Sequence, residues 1–170
     1  MNPSTSEMQR CGILTISDKG FCGERQDTSG PQLQKQLVAA GSFTISKYAI
    51  VADDPAAIAT TLKKWCDKVE LDLILTTGGT GVSPSDLTPE TTLPLLDKEI
   101  PGISEAMRAA SFQKTPHAIL SRGVAGIRKA CLIINLPGSE RAARENLATI
   151  LPGLQHAIYK IKGGSKDCGN

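Results

Sequence analysis

Short apolar runs alternate with amphipathic helical segments along this chain, and that alternation predicts an α/β fold: a three-layer α/β/α arrangement around a mostly parallel central sheet. Two observations carry the prediction. Cys11 to Ser17 (CGILTIS), Leu71 to Thr77 (LDLILTT) and Ala130 to Leu136 (ACLIINL) are rich in branched residues and apolar on both faces, as buried parallel strands are. The intervening segments start and stop with helix punctuation.

Taken in order, a helix over Gly30 to Ala40 is ended by Gly41, and a weaker strand runs from Ile45 to Val51. Asp54 as N-cap and Pro55 in the first turn then open the clearest helix, with Ile58, Leu62, Trp65 and Val69 on one face. Thr88 with Pro89 opens another, and Ser104 opens one reaching about Lys114. A short strand is expected at Ala118 to Leu120. Ser139 opens a helix to Ile150, and the pattern restarts after Pro152 with Leu154, Ile158 and Ile161. The folded body is expected to be one domain over 8–163, with polar, mobile tails at 1–7 and 164–170.

The totals narrow the function classes. At 170 residues and 40% hydrophobic content the chain can build one packed core. Its 19 basic and 17 acidic residues are evenly spread, which argues against a nucleic-acid groove or a membrane-binding surface. Five cysteines without C-x-x-C spacing fit a reducing cytoplasm better than a disulfide scaffold. The first residues, MNPSTSEMQR, lack the apolar stretch of a signal peptide, and no run is long enough to span a bilayer.

In such a fold ligands bind beyond the carboxyl ends of the strands, so the turns there are the candidate site. They are Ser17-Asp18-Lys19-Gly20, Thr77-Gly78-Gly79-Thr80-Gly81 and Asn135-Leu136-Pro137-Gly138-Ser139. Glycines let backbone N–H groups come close to an anion, and Thr77 and Thr80 add hydroxyls, so phosphate is the natural guest. The loop alone fits a tight strand-to-helix turn equally well. Asp86 follows it, directly before Leu87-Thr88-Pro89-Glu90, and Asp53 follows the second strand. A carboxylate beside a bound phosphate needs a cation between them, for which Mg²⁺ is the default. Either aspartate could instead be an ordinary capping residue. Ser121, Arg122, Arg128 and Lys129 offer groups for phosphates. His117 and His156 are isolated and are not read as metal ligands. No G-x-x-x-x-G-K-[ST], G-x-G-x-x-G or G-x-S-x-G pattern is present, which removes the standard P-loop, dinucleotide and serine-hydrolase readings.

The ordered segments LTISDKG, VADDP, LILTTGGTGVSPSDLTPE, EIPGISEAMR, AILSRGVAGIR and LIINLPGS closely resemble the molybdopterin adenylyltransferases of molybdenum cofactor biosynthesis, including the corresponding domain of gephyrin. The resemblance runs from about Gly12 to Gly163. It implies a molybdopterin-binding-like fold, a homotrimer, and transfer of AMP from Mg-ATP to the terminal phosphate of molybdopterin with release of pyrophosphate. It also implies later transfer of the product to a molybdenum-insertion protein. The family's two acidic positions map onto Asp53 and Asp86, expected to hold Mg²⁺ and act in catalysis. Gly78 to Gly81 would cradle phosphate. Asn135, Pro137, Gly138 and Ser139 would shape the nucleotide or pterin pocket, and Ser17, Asp18, Ser121 and Arg122 would line the molybdopterin side. Glu105 is a further ligand-orienting candidate. Relatives often have proline before the first acid and arginine before the second; this chain has Ala52 and Ser85, and Ser85 removes one possible phosphate contact. The competing readings are a non-catalytic molybdopterin carrier or scaffold of the same fold, and another nucleotide-dependent enzyme using the same rim.

Overall fold

The structure, a computed structural model, describes residues 8–165. The expected tails 1–7 and 164–170 lie outside the described residues, apart from Gly164 and Ser165. Alternating residues of the central strands point into two separate cores. In β1 (Gln9–Ile16), Cys11 and Ile13 face one side and Leu14 and Ile16 the other. The same alternation divides β3 (Leu73–Thr77) and β6 (Cys131–Leu136), whose residues are all buried. Each fully buried Leu or Ile contributes about 1.5–3 kcal/mol relative to an exposed one, so the two cores together fix which face each strand presents.

One core is closed by α2 (Ser29–Ala39), α5 (Pro101–Phe112) and α6 (Glu140–Ile161), through Leu33, Leu37, Met107, Leu147, Leu154 and Ile158. The other is closed by α3 (Pro55–Asp67), through Ile58, Leu62, Trp65 and Cys66. Gly12 is required at this second contact, because a Cβ there would sit 2.7 Å from both Trp65 and Leu71 side-chain carbons. With β2 (Phe43–Val51), β4 (Lys98–Glu99) and β5 (Ala125–Arg128) the sheet order is β2-β1-β3-β6-β5-β4. The first four strands are mutually parallel, β5 runs antiparallel to β6, and β4 pairs antiparallel with β5. The carboxyl ends of β2, β1, β3 and β6 therefore meet on one rim.

Asp54 caps α3 as its sequence indicates, accepting the Ala57 amide at 2.8 Å, an interaction of about 1 kcal/mol. Val69 lies past the end of α3 yet packs on the same core. Other expectations change. Pro116–Leu120 is a 3-10 helix, not a strand, started by the Thr115 hydroxyl accepting the His117 amide. The helix expected to open at Ser104 begins three residues earlier, with Pro101 in its first turn, and Ser104 is buried inside it. The helix expected to restart after Pro152 never breaks. Pro152 and Ala148, whose carbonyl loses its partner, are both solvent-exposed, so water can satisfy that carbonyl. Leu147, Ile150, Leu154 and Ile158 hold the buried face continuous across it.

Candidate functional site

The rim turns meet around a cleft of about 460 Å³ whose lining includes Ser17, Asp53, Gly78, Gly79, Asp86 and Ser139. Ser17 ends β1 as the N-cap of the short α1 (Asp18–Phe21), accepting the Gly20 amide at 3.1 Å. Asp18 and Asp53, on adjacent turns, are joined reciprocally, each carboxylate accepting the other's backbone N–H at 2.9 Å. Asp53 uses Oδ2 for this and turns Oδ1 toward Gly79, where an added Cβ would lie 3.4 Å away.

Asp86 occupies the other end of the loop. Its Oδ2 accepts the Ser83 amide at 2.8 Å and would meet a Cβ on Gly81 at 2.8 Å. The two carboxylates thus bracket the glycines, Asp53 at Gly79 and Asp86 at Gly81. Burial holds the Asp53 carboxyl above the usual carboxylate range, with the charges of Asp18 and Asp86 adding to the effect; the Asp18 amide and Arg25 oppose it. The cleft therefore resists its own negative charge.

The glycines are dictated by close approach. Gly78 has φ +109, and a side chain there would be driven into the Ile16 carbonyl oxygen; Gly79 has φ +63 and lies against the Thr88 hydroxyl. Thr88 opens α4 (Thr88–Thr92) and fastens the loop, its hydroxyl donating to the Gly78 carbonyl at 2.9 Å and its amide to the Gly79 carbonyl at 3.1 Å.

Several candidates occupy different places from those expected. Thr77 is buried and donates its hydroxyl to the Pro137 carbonyl at 2.7 Å, tying two rim turns together at the wall of the cleft. Asn135 is also buried, donating to the Thr76 and Thr92 hydroxyls at 2.9 and 3.1 Å and accepting the Val124 amide. It braces the underside of the site and lines neither that cleft nor the second cavity beside it. Thr80, Gly81, Ser121 and Pro137 line a second cavity of about 300 Å³, and Gly138 lines both. Ser17 lines the first cavity and Ser121 the second. Arg122 turns onto the protein: Nε donates to the Gly81 carbonyl and Nη2 to the Asp86 carbonyl, both at 2.6 Å, and Nη1 pairs with Glu90. It positions the loop. Arg128 is remote because β5 is antiparallel and carries its carboxyl end away from the rim; there it forks onto Asp67, at 3.0 and 2.6 Å. Glu105 is exposed on α5 and lines neither cavity.

Sequence reasoning passed over Arg25 and Asp27, both lining the cleft. Asp27 accepts the Thr15 and Tyr48 hydroxyls at 2.5 and 2.7 Å and the Ser29 and Gly30 amides at 3.0 and 3.1 Å. It is fully engaged in anchoring the start of α2. An Asp two residues before a helix that follows the first rim turn was the available signal.

Among the described residues no group of three or more Asp, Glu, His or Cys could hold a metal by itself. Two bracketing carboxylates with a phosphate ligand suit Mg²⁺, which commonly takes one or two protein carboxylates and completes its shell with phosphate and water. No helix among the described residues is long and apolar enough to cross a membrane.

Residues 12–156 match the family described as a probable molybdopterin binding domain. The molybdopterin adenylyltransferase of Helicobacter pylori J99 is 40% identical over 156 residues, covering 89% of this chain and 87% of that one. The molybdenum cofactor synthesis protein cinnamon of Drosophila melanogaster is 45% identical over 88% of this chain, which spans only 25% of its length. The crystal structure of the molybdopterin biosynthesis enzyme MoaB from Thermus thermophilus superposes with a TM-score of 0.87 at 52% identity, covering 92% of this chain and 98% of that one. The family match and the likeness to solved structures agree, and the chain belongs to the molybdopterin-binding-domain family.

Proposed function

We propose that this chain is a molybdopterin adenylyltransferase of molybdenum cofactor biosynthesis, a nucleotidyltransferase that moves AMP from ATP to the terminal phosphate of molybdopterin. The observation that carries the reading is the pair Asp53 and Asp86 bracketing Gly79 and Gly81 in one cleft. The adenylyltransferase relative of near-equal length supports it.

In the reaction an oxygen of the molybdopterin phosphate forms a bond to the α-phosphorus of ATP, the bond to the bridging oxygen breaks, and pyrophosphate leaves. The attacking oxygen is already largely ionised at neutral pH, so no protein nucleophile or strong base is needed; position and charge neutralisation are. Asp53 and Asp86 would hold Mg²⁺, which when bound neutralises charge on the phosphates and the leaving group. The Gly78 amide is already bonded to the Leu136 carbonyl at 3.2 Å, so the anion cradle begins at Gly79. Asp18 fixes Asp53 and Arg122 fixes Asp86 and Gly81, which keeps the charge in place before the ligand arrives. The cavities meeting at Gly138 give separate room for two substrates.

The same reading carries a homotrimer, a cytoplasmic setting and delivery of the product to a molybdenum-insertion protein. The experiment mixes purified protein, molybdopterin, ATP and Mg²⁺ and follows pyrophosphate and adenylylated molybdopterin, with light scattering for the assembly. Magnesium-dependent formation of both products is expected. Molybdopterin binding without turnover would establish the carrier reading instead.

A further inference from the structure

We infer that Arg25 is the side chain that binds the phosphate oxygens of the ligand held in the cleft. The inference deepens the proposed function and rests on it for the identity of the ligand.

The charge balance of the cleft demands such a group. Asp27, Asp53, Asp86 and Glu140 line it, and Arg25 is the one Lys or Arg among its lining residues. A polyphosphate entering a wall of four carboxylates meets repulsion that backbone amides offset only in part. Ser85, beside Asp86 in the same lining, brings no charge. The other arginine close to the glycine loop, Arg122, cannot take the role without releasing the Gly81 and Asp86 carbonyls that it holds.

Arg25 is set up differently. Its backbone is pinned, because the Lys19 carbonyl accepts both the Glu24 amide at 2.9 Å and the Arg25 amide at 3.1 Å. Its Nη2 donates to Ser17 Oγ at 3.1 Å, which ties one tip of the guanidinium to the rim. Its charge reaches Asp53, where it opposes the rise in the carboxyl's pKa. The side chain is exposed, so a phosphate can approach it, and a planar guanidinium offers paired donors matched to phosphate oxygens. The lining of the cleft thus presents one cation on the α1 side and two carboxylates along the glycine loop.

The test compares the full-length wild type with Arg25→Gln and Arg25→Lys. It measures KM for Mg-ATP, KM for molybdopterin, kcat, and calorimetric binding of inorganic pyrophosphate in the presence of Mg²⁺. Arg25→Gln is expected to raise one KM about tenfold, the weight of one hydrogen bond to a charged group, with kcat within about threefold and the fold unchanged by circular dichroism. Arg25→Lys should fall between. If the ATP phosphates are the ligand, the ATP KM rises and pyrophosphate affinity falls together; if the molybdopterin phosphate is, only the molybdopterin KM rises. Unchanged KM values and pyrophosphate affinity in Arg25→Gln overturn the inference. A fall in kcat alone also overturns it, because it assigns Arg25 to holding Ser17. A wild type without turnover removes the proposed function. Weaker pyrophosphate binding by Arg25→Gln in that case still upholds Arg25 as the phosphate-binding side chain, and pyrophosphate binding that is absent or equal in both proteins overturns it.

Discussion

Asp18 and Asp53 hold each other by exchanged contacts, each carboxylate accepting the other's amide at 2.9 Å, so two like charges are locked side by side at the ends of β1 and β2. The arrangement stabilises position at the expense of charge. The backbone contacts fix where Asp53 points, and the neighbouring charges and burial hold its carboxyl above the usual range.

Ligand-free stability should register that conflict. A carboxyl whose folded pKa is raised contributes most below its unfolded value and loses that contribution as pH rises through the folded one. Asp53→Asn keeps an oxygen for the Asp18 amide and removes the charge. Its Tm should exceed that of the wild type near about pH 7 and match it below about pH 3, where both states carry a protonated group. Differential scanning calorimetry across that range decides it, and a variant no more stable at neutral pH would contradict the assignment.

Asp86→Asn is the corresponding test of turnover. The amide oxygen can still accept the Ser83 N–H, so the loop should survive while the charge is lost. We expect kcat to fall by about two orders of magnitude, the scale of removing one preorganised charge-stabilising contact. A rate within about threefold of wild type would remove Asp86 from the catalytic role.

Arg122→Lys tests whether the loop needs a guanidinium. A lysine is a single point charge and cannot reach the Gly81 and Asp86 carbonyls and Glu90 together. Loss of about 1–3 kcal/mol of stability is expected, with kcat falling alongside Tm. Full activity with a normal Tm would show that the brace is dispensable.

Tyr48 provides a spectroscopic handle at the edge of the site. Burial and its hydrogen bond to the Asp27 carboxylate push its hydroxyl up to about 12. Because the folded value is raised, the stability from this contact is complete below the ordinary tyrosine range and is lost as pH climbs toward about 12. Absorbance titration should show a tyrosine step delayed toward about 12, and Tyr48→Phe should erase it. A high-pH titration that Tyr48→Phe leaves unchanged would contradict the Asp27 contact.

What the sequence made legible follows from how local each signal is. The strands at Cys11, Leu73 and Cys131 announce themselves because residues buried on both faces leave no polar alternation, and Asp54-Pro55 is a complete local instruction for starting a helix. Ala125–Arg128 gives no comparable signal: it is four residues long and becomes a strand only by pairing with β6. The direction of that pairing places Arg122, before the strand, at the rim and Arg128, at its far end, elsewhere. Charge and composition do not encode such a reversal. The acids were readable since Asp53 lies two residues past a strand and Asp86 five past the last glycine of the loop, directly before a helix start. The roles of Asn135 and Thr77 were not, because a polar residue at a strand end looks the same whether it meets a ligand or, as here, a hydroxyl or carbonyl of the neighbouring turn.

The brace at Arg122 also limits how the glycine loop can be understood as a unit. Its backbone N–H donates to the Thr80 carbonyl at 2.9 Å, and its side chain closes on Gly81 and Asp86, from about forty positions further along the chain. The stretch Thr77 to Glu90 is therefore contiguous as text but not autonomous as an object. Cut from the chain or grafted onto another parallel sheet, it would carry its glycines and its aspartate and lack the grip that gives them a shape. The shape of the rim is therefore a property of the assembled sheet and of the segment entering β5, not of the loop's own sequence.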